Sequence, residues 1–580
     1  MLKILGKYLD GFKRDSLLTP FFMICEVIME TIIPVLMGMI VDKGVDRGDI
    51  GYIYKMGALM GVAACFSLTF GILGGKYGAR ASAGFARNLR KGMFEKIQTY
   101  SFSNIDKYST SGLVTRLTTD VTNIQNAYQM LLRMCIRSPF TLVSAMIMAF
   151  MISPKLASIY LVAVIVLSII LGTIVAMAMK HFSQVFKKYD DLNGSIQENV
   201  TGIRVVKAFV REDYEKTRFQ KASENVYRMF VKAENIVAFN MPVMNFAVYS
   251  CILLVSWVGA RMILSDELST GNLLTMLTYC MNILMSLMML SFVFVMLSLS
   301  VASAKRIAEV LEEESDITNP ENPVFEVKDG SIKFENVAFT YNRGKDDRVL
   351  SDINLDIKLG ETIGIIGGTG SSKTTLVNLI SRLYDVSEGK VLVGGRNVKE
   401  YDLETLRNNV AVVLQKNVLF SGTILENLRW GNKNATEKEC INACRLACAD
   451  DFIEEFPDKY NTHIEQGGTN VSGGQKQRIC IARALLKKPK VLILDDSTSA
   501  VDTATDARIR EAFAKKIPDT TKIIIAQRIS SVKDADRIIV MDDGKVMGFG
   551  NHDELMNSNE IYKDIYDSQT QGGGDFDQPS

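Results

Sequence analysis

The sequence predicts a membrane α-helical domain with six long transmembrane helices, followed by an α/β domain built on a parallel sheet. Four stretches contain no Asp, Glu, Lys or Arg, namely residues 56–75, 156–179, 235–260 and 268–304. Each stretch reaches the length of about 20 residues that a helix needs to cross a bilayer. After residue 325, short β-branched runs alternate with helical patterns, which is typical of a parallel α/β sheet.

Composition excludes several classes of protein. The 580 residues are 47% hydrophobic and 23% charged, which is ordinary for a globular chain, but charge is dense only after about residue 305. The long uncharged stretches exclude a wholly soluble protein, a disordered chain and a small disulfide scaffold. The formal net charge of +1 gives no bulk attraction to nucleic acid, so we expect no nucleic-acid partner.

The apolar spans and the charges between them predict a multi-pass topology. The six spans cover approximately residues 17–41, 53–78, 130–152, 156–179, 238–264 and 272–300. The third and fourth spans are separated only by residues 153–155, which form a tight hairpin. The loops after the second and fourth spans are long and rich in Lys and Arg, whereas loops 42–52 and 265–271 are short. The positive-inside rule then places the N-terminus, the long loops and the C-terminal half in the cytoplasm. The long loops have a helical, amphipathic pattern, so we expect the membrane helices to continue into the cytosol.

A proline-containing stretch, Asn319–Pro323, marks the boundary between the two domains. We therefore expect a transmembrane domain over residues 1–318 and an α/β domain over residues 325–568. Residues 569–580, which end in GGGDFDQPS, are predicted to form a disordered tail.

A glycine-rich loop with the layout of a phosphate-binding loop follows the first strong strand pattern. The apolar run 362–366 leads into GGTGSSKT at residues 367–374, and a helical pattern follows. In such loops the backbone N–H groups and the helix N-terminus hold phosphates, Lys373 reaches the outer phosphates and Thr374 ligates Mg²⁺. The loop departs from the usual pattern at Ser372, where a Gly is expected.

Two further motifs lie downstream in the α/β domain. The sequence SGGQ occupies residues 472–475, and the apolar run 491–494 ends in Asp495. A carboxylate at the end of such a strand is positioned to hold Mg²⁺ through water. The order of the three motifs is phosphate loop, SGGQ and strand-terminal Asp.

This order resembles the ATPase domain of ABC transporters, and with six preceding spans the chain resembles a half-size ABC exporter of the multidrug (type IV) class over residues 1–570. The resemblance implies ATP and Mg²⁺ as cofactors. It also implies a dimer in which each ATP lies between the phosphate loop of one subunit and the SGGQ of the other. It assigns Thr374, Gln415 and Asp495 to the metal. The nucleotide contacts that it implies are Tyr341, Gly367, Gly368, Thr369, Gly370, Ser371, Ser372, Lys373, Thr374, Thr375, Gln415, Ser472, Gly473, Gly474, Gln475 and Asp502.

The chain departs from the family pattern at positions that matter for hydrolysis. Asp496 stands where the family has the Glu that polarises the attacking water, and Gln527 stands where it has a His on the γ-phosphate. These two residues are our candidate catalytic residues. Asp is one methylene shorter than Glu, so its carboxylate lies about an ångström further from the attacking water, which can cost roughly 10²-fold in rate. Ser372 in the phosphate loop and Gln466 before SGGQ are further departures.

The three departures at Ser372, Asp496 and Gln527 fall on the same side of one composite site, whereas Ser472 to Gln475 and Asp502 are intact. We therefore predict an asymmetric heterodimer. This chain's own site would bind ATP and turn over slowly, and its SGGQ would complete the site of a partner with an intact phosphate loop (Walker A), catalytic Glu and His. A working homodimer, in which the departures are independent drift, is the alternative.

The predicted activity is ATP-driven export of a lipophilic, drug-like or peptidic substrate by alternating access, in a bacterial plasma membrane. A lipid flippase and a slow nucleotide-gated regulatory subunit remain open. Residues 101–110 and 207–214 are candidates for short helices that dock on the ATPase domains.

Intramembrane charges and a methionine stripe are the signals that bear on the substrate. Glu26 and Glu30 share one helix face, as do Arg133 and Arg137, and these groups form either interhelical ion pairs or a cavity for cationic or amphipathic cargo. The stripe formed by Met281, Met285 and Met288 is either a binding surface or a lipid-facing or core surface. Neither feature names a molecule.

Overall fold

The computed structural model describes residues 2–341, 348–497 and 499–571. The chain folds as two compact units. The first unit, hereafter the membrane unit, contains residues up to 99 and residues 108–313, and the second contains residues 100–107 and those from 314 onward. The short segment 100–107 therefore groups with the second unit, although it lies within the predicted domain 1–318.

Among the described residues, six helical stretches are long and apolar enough to cross a membrane, which confirms the predicted number of spans. Three helices extend far beyond bilayer thickness. The helix Ile50–Gln98 has 49 residues, which is about 70 Å at the rise of an α-helix. The long helices of this unit are Lys13–Met39, Ile50–Gln98, Val121–Ile152, Pro154–Thr201, Glu212–Ala238, Asn240–Leu264 and Thr270–Glu312. The shorter ones are Leu2–Gly6, Thr110–Thr115 and Ile203–Ala208.

Local capping explains where several of these helices begin. The side chain of Ser153 accepts a hydrogen bond from the Leu156 backbone N–H, and Pro154 occupies the first helical position, where no N–H is needed. The predicted hairpin between the third and fourth spans is therefore confirmed as a sharp stop and restart. Asp49 and Ser269 cap the second and sixth membrane helices in the same way.

The membrane unit packs through small residues and buried tyrosines. A Cβ on Gly271 would lie 2.1 Å from the Gly38 carbonyl oxygen, so the first and sixth membrane helices approach at a distance that only Gly allows. The buried Tyr279 donates to the Thr31 carbonyl oxygen at 2.6 Å across the same pair of helices. Helix contacts of this kind hold a bundle together where surrounding lipid is as apolar as the side chains.

The second unit contains two larger sheets. A six-stranded sheet has the spatial order Lys545–Gly550, Arg537–Asp542, Thr362–Gly367, Thr521–Ile525, Val491–Asp495 and Val410–Val413. All neighbours are parallel except the edge pair formed by Lys545–Gly550 and Arg537–Asp542. The antiparallel sheet is formed by Ile332–Phe339, Leu350–Ile357, Glu388–Val393 and Arg396–Asn397. The fold class is therefore as predicted.

Ten α-helices among the described residues complete the second unit. They are Phe102–Lys107, Lys373–Ile380, Leu403–Asn409, Ile424–Arg429, Glu437–Leu446, Asp450–Glu454, Gly473–Leu485, Thr503–Lys516, His552–Ser558 and Glu560–Gln571. The last helix includes residues 569–571, which were assigned to the tail, and residues 572–580 lie outside the described part of the chain.

The strand order decides which residues meet. The carboxyl ends of Thr362–Gly367, Thr521–Ile525 and Val491–Asp495 lie side by side at one edge of the sheet. Ligands of α/β sheets bind outside the carboxyl ends of the strands. The phosphate loop, residues 495–496 and residues 526–527 therefore converge there.

Candidate functional site

The phosphate loop connects the strand Thr362–Gly367 to the helix Lys373–Ile380. The Lys373 ammonium donates to the carbonyl oxygens of Gly367 at 2.9 Å and Gly368 at 2.8 Å, and it lies 3.2 Å from the Ser371 hydroxyl. Burial lowers the pKa of Lys373, and the carboxylates of Asp496 and Asp495 oppose that shift. A cation and a helix N-terminus in one loop suit the binding of phosphate groups.

Ser372 adopts a left-handed backbone conformation, which favours Gly. Its φ is +69° and its ψ is 24°, which is the left-handed region. This conformation costs a non-Gly residue on the order of 1–2 kcal/mol. Gly370, two residues earlier, also has a positive φ of 87°. Thr369 precedes these two turns and Ser371 lies between them, so the loop keeps its compact shape at an energetic cost.

Thr374 and Asp495 form the oxygen pair expected of a Mg²⁺ site. The Thr374 hydroxyl donates to Asp495 Oδ1 at 3.1 Å, and Asp495 is 2% exposed at the end of its strand. Burial raises the pKa of Asp495, and the Thr374 hydrogen bond opposes that shift. Hydroxyl and carboxylate oxygens are the ligands that Mg²⁺ accepts beside phosphate and water, so the residues present fit this ion.

Asp496 and Gln527 hydrogen-bond to each other. Gln527 Nε2 donates to Asp496 Oδ2 at 2.8 Å. Asp496 has a positive φ of 49°, and its backbone N–H donates to the Ile525 carbonyl oxygen at 3.1 Å. The strands at 495 and 525 are adjacent, which is why residues 31 positions apart meet. The two candidate catalytic side chains therefore occupy part of each other's hydrogen-bonding capacity.

The loop that carries Gln527 is held by Gln569, a residue that the sequence analysis missed. Gln569 Nε2 donates to the Gln527 carbonyl oxygen at 2.9 Å, and Gln569 Oε1 accepts from the Ile529 N–H at 2.8 Å. One side chain on the helix Glu560–Gln571 thus clamps the backbone on both sides of Arg528. No sequence signal marks Gln569, because a Gln on an exposed helix face is common.

The SGGQ segment starts the helix Gly473–Leu485 with a capping box. Ser472 Oγ accepts from the Gln475 N–H at 3.2 Å, and Gln475 Oε1 accepts from the Ser472 N–H at 2.9 Å. A Cβ on Gly474 would lie 2.7 Å from the Ala500 carbonyl oxygen. The exposed Ser472 hydroxyl and the amides of Gly473 and Gly474 thus lie at a helix N-terminus, which favours an anion.

The segment around Asp502 is tied to the SGGQ helix within the same chain. Gln477 Oε1 accepts from the Ala500 N–H at 3.1 Å. Asp502 caps the helix Thr503–Lys516 by accepting from the Thr505 N–H at 2.9 Å, and this bond lowers the pKa of Asp502. SGGQ and Asp502 therefore form one exposed face. Among the described residues, no hydrogen bond joins Ser472–Gln475 to the phosphate loop.

Tyr341, the candidate adenine contact, belongs to an aromatic cluster. Its hydroxyl is 2.9 Å from the Thr375 hydroxyl, and its ring is perpendicular to Tyr384 at 5.2 Å between centroids. Tyr384 in turn donates to Asp106 Oδ2 at 2.5 Å and packs edge-on against Phe102. The short helix Phe102–Lys107, which lies inside the predicted docking segment 101–110, is thereby linked to the candidate adenine contact.

The remaining predicted residues are less closely connected. Gln415 is exposed just after the strand Val410–Val413, and its recorded hydrogen bond is a long one, 3.5 Å, from Asn417 to its carbonyl oxygen. In the described part of the chain, no hydrogen bond joins Gln415 to Thr374. Gln466 is exposed in the short helix Gln466–Gly468. The second docking segment was predicted at residues 207–214, whereas the short helix there runs over Ile203–Ala208.

Comparison with known proteins is consistent with this architecture. Residues 17–288 match the family described as ABC transporter transmembrane region, and residues 350–499 match the family described as ABC transporter. The chain is 37% identical over 566 residues to the ABC transporter ATP-binding protein YfiB of Bacillus subtilis, covering 97% of this chain and 98% of that protein. It is 35% identical over 577 residues to Rv1273c of Mycobacterium tuberculosis, covering 98% of each. The fold is similar to a bacterial Atm1-family ABC exporter solved with ATP bound, with a TM-score of 0.84, 23% identity, and coverage of 97% of this chain and 100% of that chain.

Proposed function

This chain belongs to the ABC transporter family, and from that premise we propose that it is the slow-site subunit of a heterodimeric exporter. It is a multi-pass membrane protein with an ATP-binding domain and an exporter fold. Such exporters transport their substrates with ATP and work as dimers of half-transporters. The proposal concerns which half this chain supplies.

The hydrogen bond between Gln527 and Asp496 is the observation that carries the proposal. Both residues depart from the family pattern, and the 2.8 Å bond occupies the Gln527 amide that would otherwise face the γ-phosphate. One oxygen of the shorter Asp carboxylate, Oδ2, is engaged by Gln527, which reduces its capacity to accept a proton from water. General-base catalysis contributes roughly 10²–10⁴-fold, so a diverted base supports slow turnover at this chain's own site.

The segments that contain SGGQ and Asp502 support a role at the ATP site of the partner. The Ser472–Gln475 capping box and the Asp502 cap are intact and exposed. In the family these groups act on the ATP held by the other subunit. The favoured partner is therefore a half-transporter with an intact phosphate loop, a catalytic Glu and a His. Thr374 and Asp495 would hold Mg²⁺, which neutralises phosphate charge when bound.

A second feature supports a partner subunit. The helix Ile203–Ala208 and the residues after it expose a row of apolar side chains, with Val205, Phe209 and Val210 at 60%, 73% and 81% exposure. Exposed apolar residues on a cytoplasmic loop mark an interaction surface. We assign this surface to the ATPase domain of the partner half.

The proposed cargo is lipophilic, drug-like or peptidic, moved out of the cytoplasm or the inner leaflet by alternating access. The similarity to proteins of Bacillus subtilis and Mycobacterium tuberculosis favours a bacterial plasma membrane. Movement of labelled lipid between leaflets, without export of soluble cargo, would instead identify a flippase.

The test compares two substitutions in the complex purified from its own membrane through a tag on this chain. We expect Ser472→Ala to lower ATPase activity more than tenfold and Asp496→Ala to leave it within about twofold, because general-base loss matters only at a competent site. Asp458→Ala, at an exposed carboxylate outside the site, is the matched control. The reverse pattern, or vanadate-sensitive turnover of about one per second by a homodimer of this chain, would overturn the proposal.

A further inference from the structure

The membrane unit has a half-open cavity of about 630 Å³ between the helices Lys13–Met39, Val121–Ile152 and Thr270–Glu312. One part of its wall is formed by Met23, Met134, Met285 and Met289. Methionine side chains adapt to apolar bodies of different shape. A volume of this size suits a drug-sized molecule or part of a lipid. The polar part of the wall decides which charge that molecule can carry.

Both carboxylates near the cavity are already paired. Arg137 lies between them, with its Nη1 3.1 Å from Glu26 Oε1 and its Nη2 2.8 Å from Glu30 Oε1. Nη2 is also 2.9 Å from Glu30 Oε2. The ion-pair interpretation of these residues therefore matches the structure. A cationic cargo would have to displace a guanidinium that makes three charge-assisted hydrogen bonds, so the carboxylates do not form an open cation site.

Arg133 lines the same cavity one helical turn earlier. Among the residues that the structure describes, its guanidinium makes no hydrogen bond or ion pair. Its stem lies against Gly78, where an added Cβ would be 3.3 Å from Arg133 Cδ. A guanidinium is always charged and carries five N–H donors, and none of the five is used in the described part of the membrane unit, although the Glu26 carboxylate is near enough to interact with the charge of Arg133. Free donors on a charged group in a largely apolar wall favour an anionic ligand. Asn282, on the facing helix, also lines the cavity with an amide that makes no hydrogen bond within the described ranges.

We propose that this cavity is the substrate site and that it selects amphipathic anions. A carboxylate or phosphate group binds Arg133, and the apolar body packs against the four methionines. The inference rests on the proposed export function and names the substrate class of that site. The Arg137 pair is a fixed part of the wall, whereas Arg133 is the group that discriminates between substrates.

The test uses three probes with the same apolar body, namely pyrenebutyrate, pyrenebutylamine and pyrenebutanol. Their binding is measured by fluorescence anisotropy, without nucleotide, to the complex in nanodiscs of phosphatidylcholine. Hydrogen bonds between charged groups are stronger than those between neutral groups. We therefore expect pyrenebutyrate to bind at least about tenfold more tightly than the other two probes. Arg133→Gln should remove this preference, Arg133→Lys should keep part of it, and Arg80→Gln, at a largely exposed arginine outside the cavity, should leave it unchanged.

Two outcomes would overturn the inference. One is equal binding of the anionic and cationic probes by the wild-type complex. The other is dissociation of the complex by Arg133→Gln in mass measurements, which would show that Arg133 pairs with the partner subunit. Addition of phosphatidylglycerol to the nanodiscs separates two sources of the anion: displacement of pyrenebutyrate identifies a lipid headgroup, and no displacement identifies a free organic anion. The probe-binding assay contains no ATP, so its result does not depend on which ATP site hydrolyses. Equal hydrolysis at the two ATP sites would therefore refute the proposed function and leave the anion preference of the cavity intact.

Discussion

Restoring the two family residues at the slow site should make that site hydrolyse ATP. The variant combines Asp496→Glu with Gln527→His in a complex whose partner site is silenced by Ser472→Ala. In that background the residual ATPase activity comes from this chain's own phosphate loop. The double substitution should raise it by about 10²-fold.

The magnitude follows from the geometry of the pair. A Glu carboxylate reaches about one ångström further than Asp496, and the substitution also removes the 2.8 Å bond from Gln527, worth about 1 kcal/mol. A shift of one ångström in a catalytic group changes rates by roughly 10²-fold, which corresponds to about 2.7 kcal/mol of activation free energy. Gln527→His alone leaves the short carboxylate in place and should give less than about tenfold.

The assay is single-turnover release of phosphate from radiolabelled ATP, with bound ATP measured on the same sample. An unchanged rate with ATP still bound would refute the reasoning, because it would mean that Asp496 and Gln527 do not limit this site. A Ser472→Ala complex that keeps full activity would refute the assignment of SGGQ to the partner's ATP.

Three further predictions concern single contacts. Ser372→Gly removes a left-handed strain on the order of 1 kcal/mol from the folded chain, so the melting temperature should rise by about 2–4 °C, and an unchanged melting temperature would argue against strain in the loop. Gln569→Ala removes two hydrogen bonds worth about 2 kcal/mol together, so a fluorescent ATP analogue should leave about tenfold faster. Lys563→Ala on the same helix should not change that rate, and equal release from both variants would contradict the clamp. Arg306→Met leaves the buried Asp120 carboxylate without its bidentate partner, at a cost of about 3 kcal/mol, and should lower the melting temperature, with Asp120→Asn restoring most of the loss.

Much of the architecture was predictable because it depends on local patterns. Bilayer thickness sets the length of a membrane helix, so charge-free stretches predicted six spans that the structure confirms. The tight hairpin at Ser153 and Pro154 was predictable because capping and proline chemistry act within one turn. The short helix Ile203–Ala208 was placed several residues too late, because an amphipathic charge pattern does not mark where a helix breaks.

Spacing along the chain was enough to predict the phosphate loop, SGGQ and Asp495 as site residues, since each motif needs a fixed set of neighbours within a few residues. The sequence alone also predicted Asp496 and Gln527 as departures, but not that they bond to each other. That contact exists because two parallel strands end side by side, which is a property of sheet order.

The sequence therefore determined the class of protein, the number of spans and the identity of the unusual residues, all of which follow from short-range chemistry. Only the tertiary structure decided which charged and polar groups contact each other. It pairs Arg137 with both Glu26 and Glu30 and leaves Arg133 facing the cavity, and it brings Gln569 to the loop of Gln527. These contacts join residues that are 42 to 111 positions apart in the chain. They depend on how helices and strands pack, and no local pattern in the chain encodes that packing.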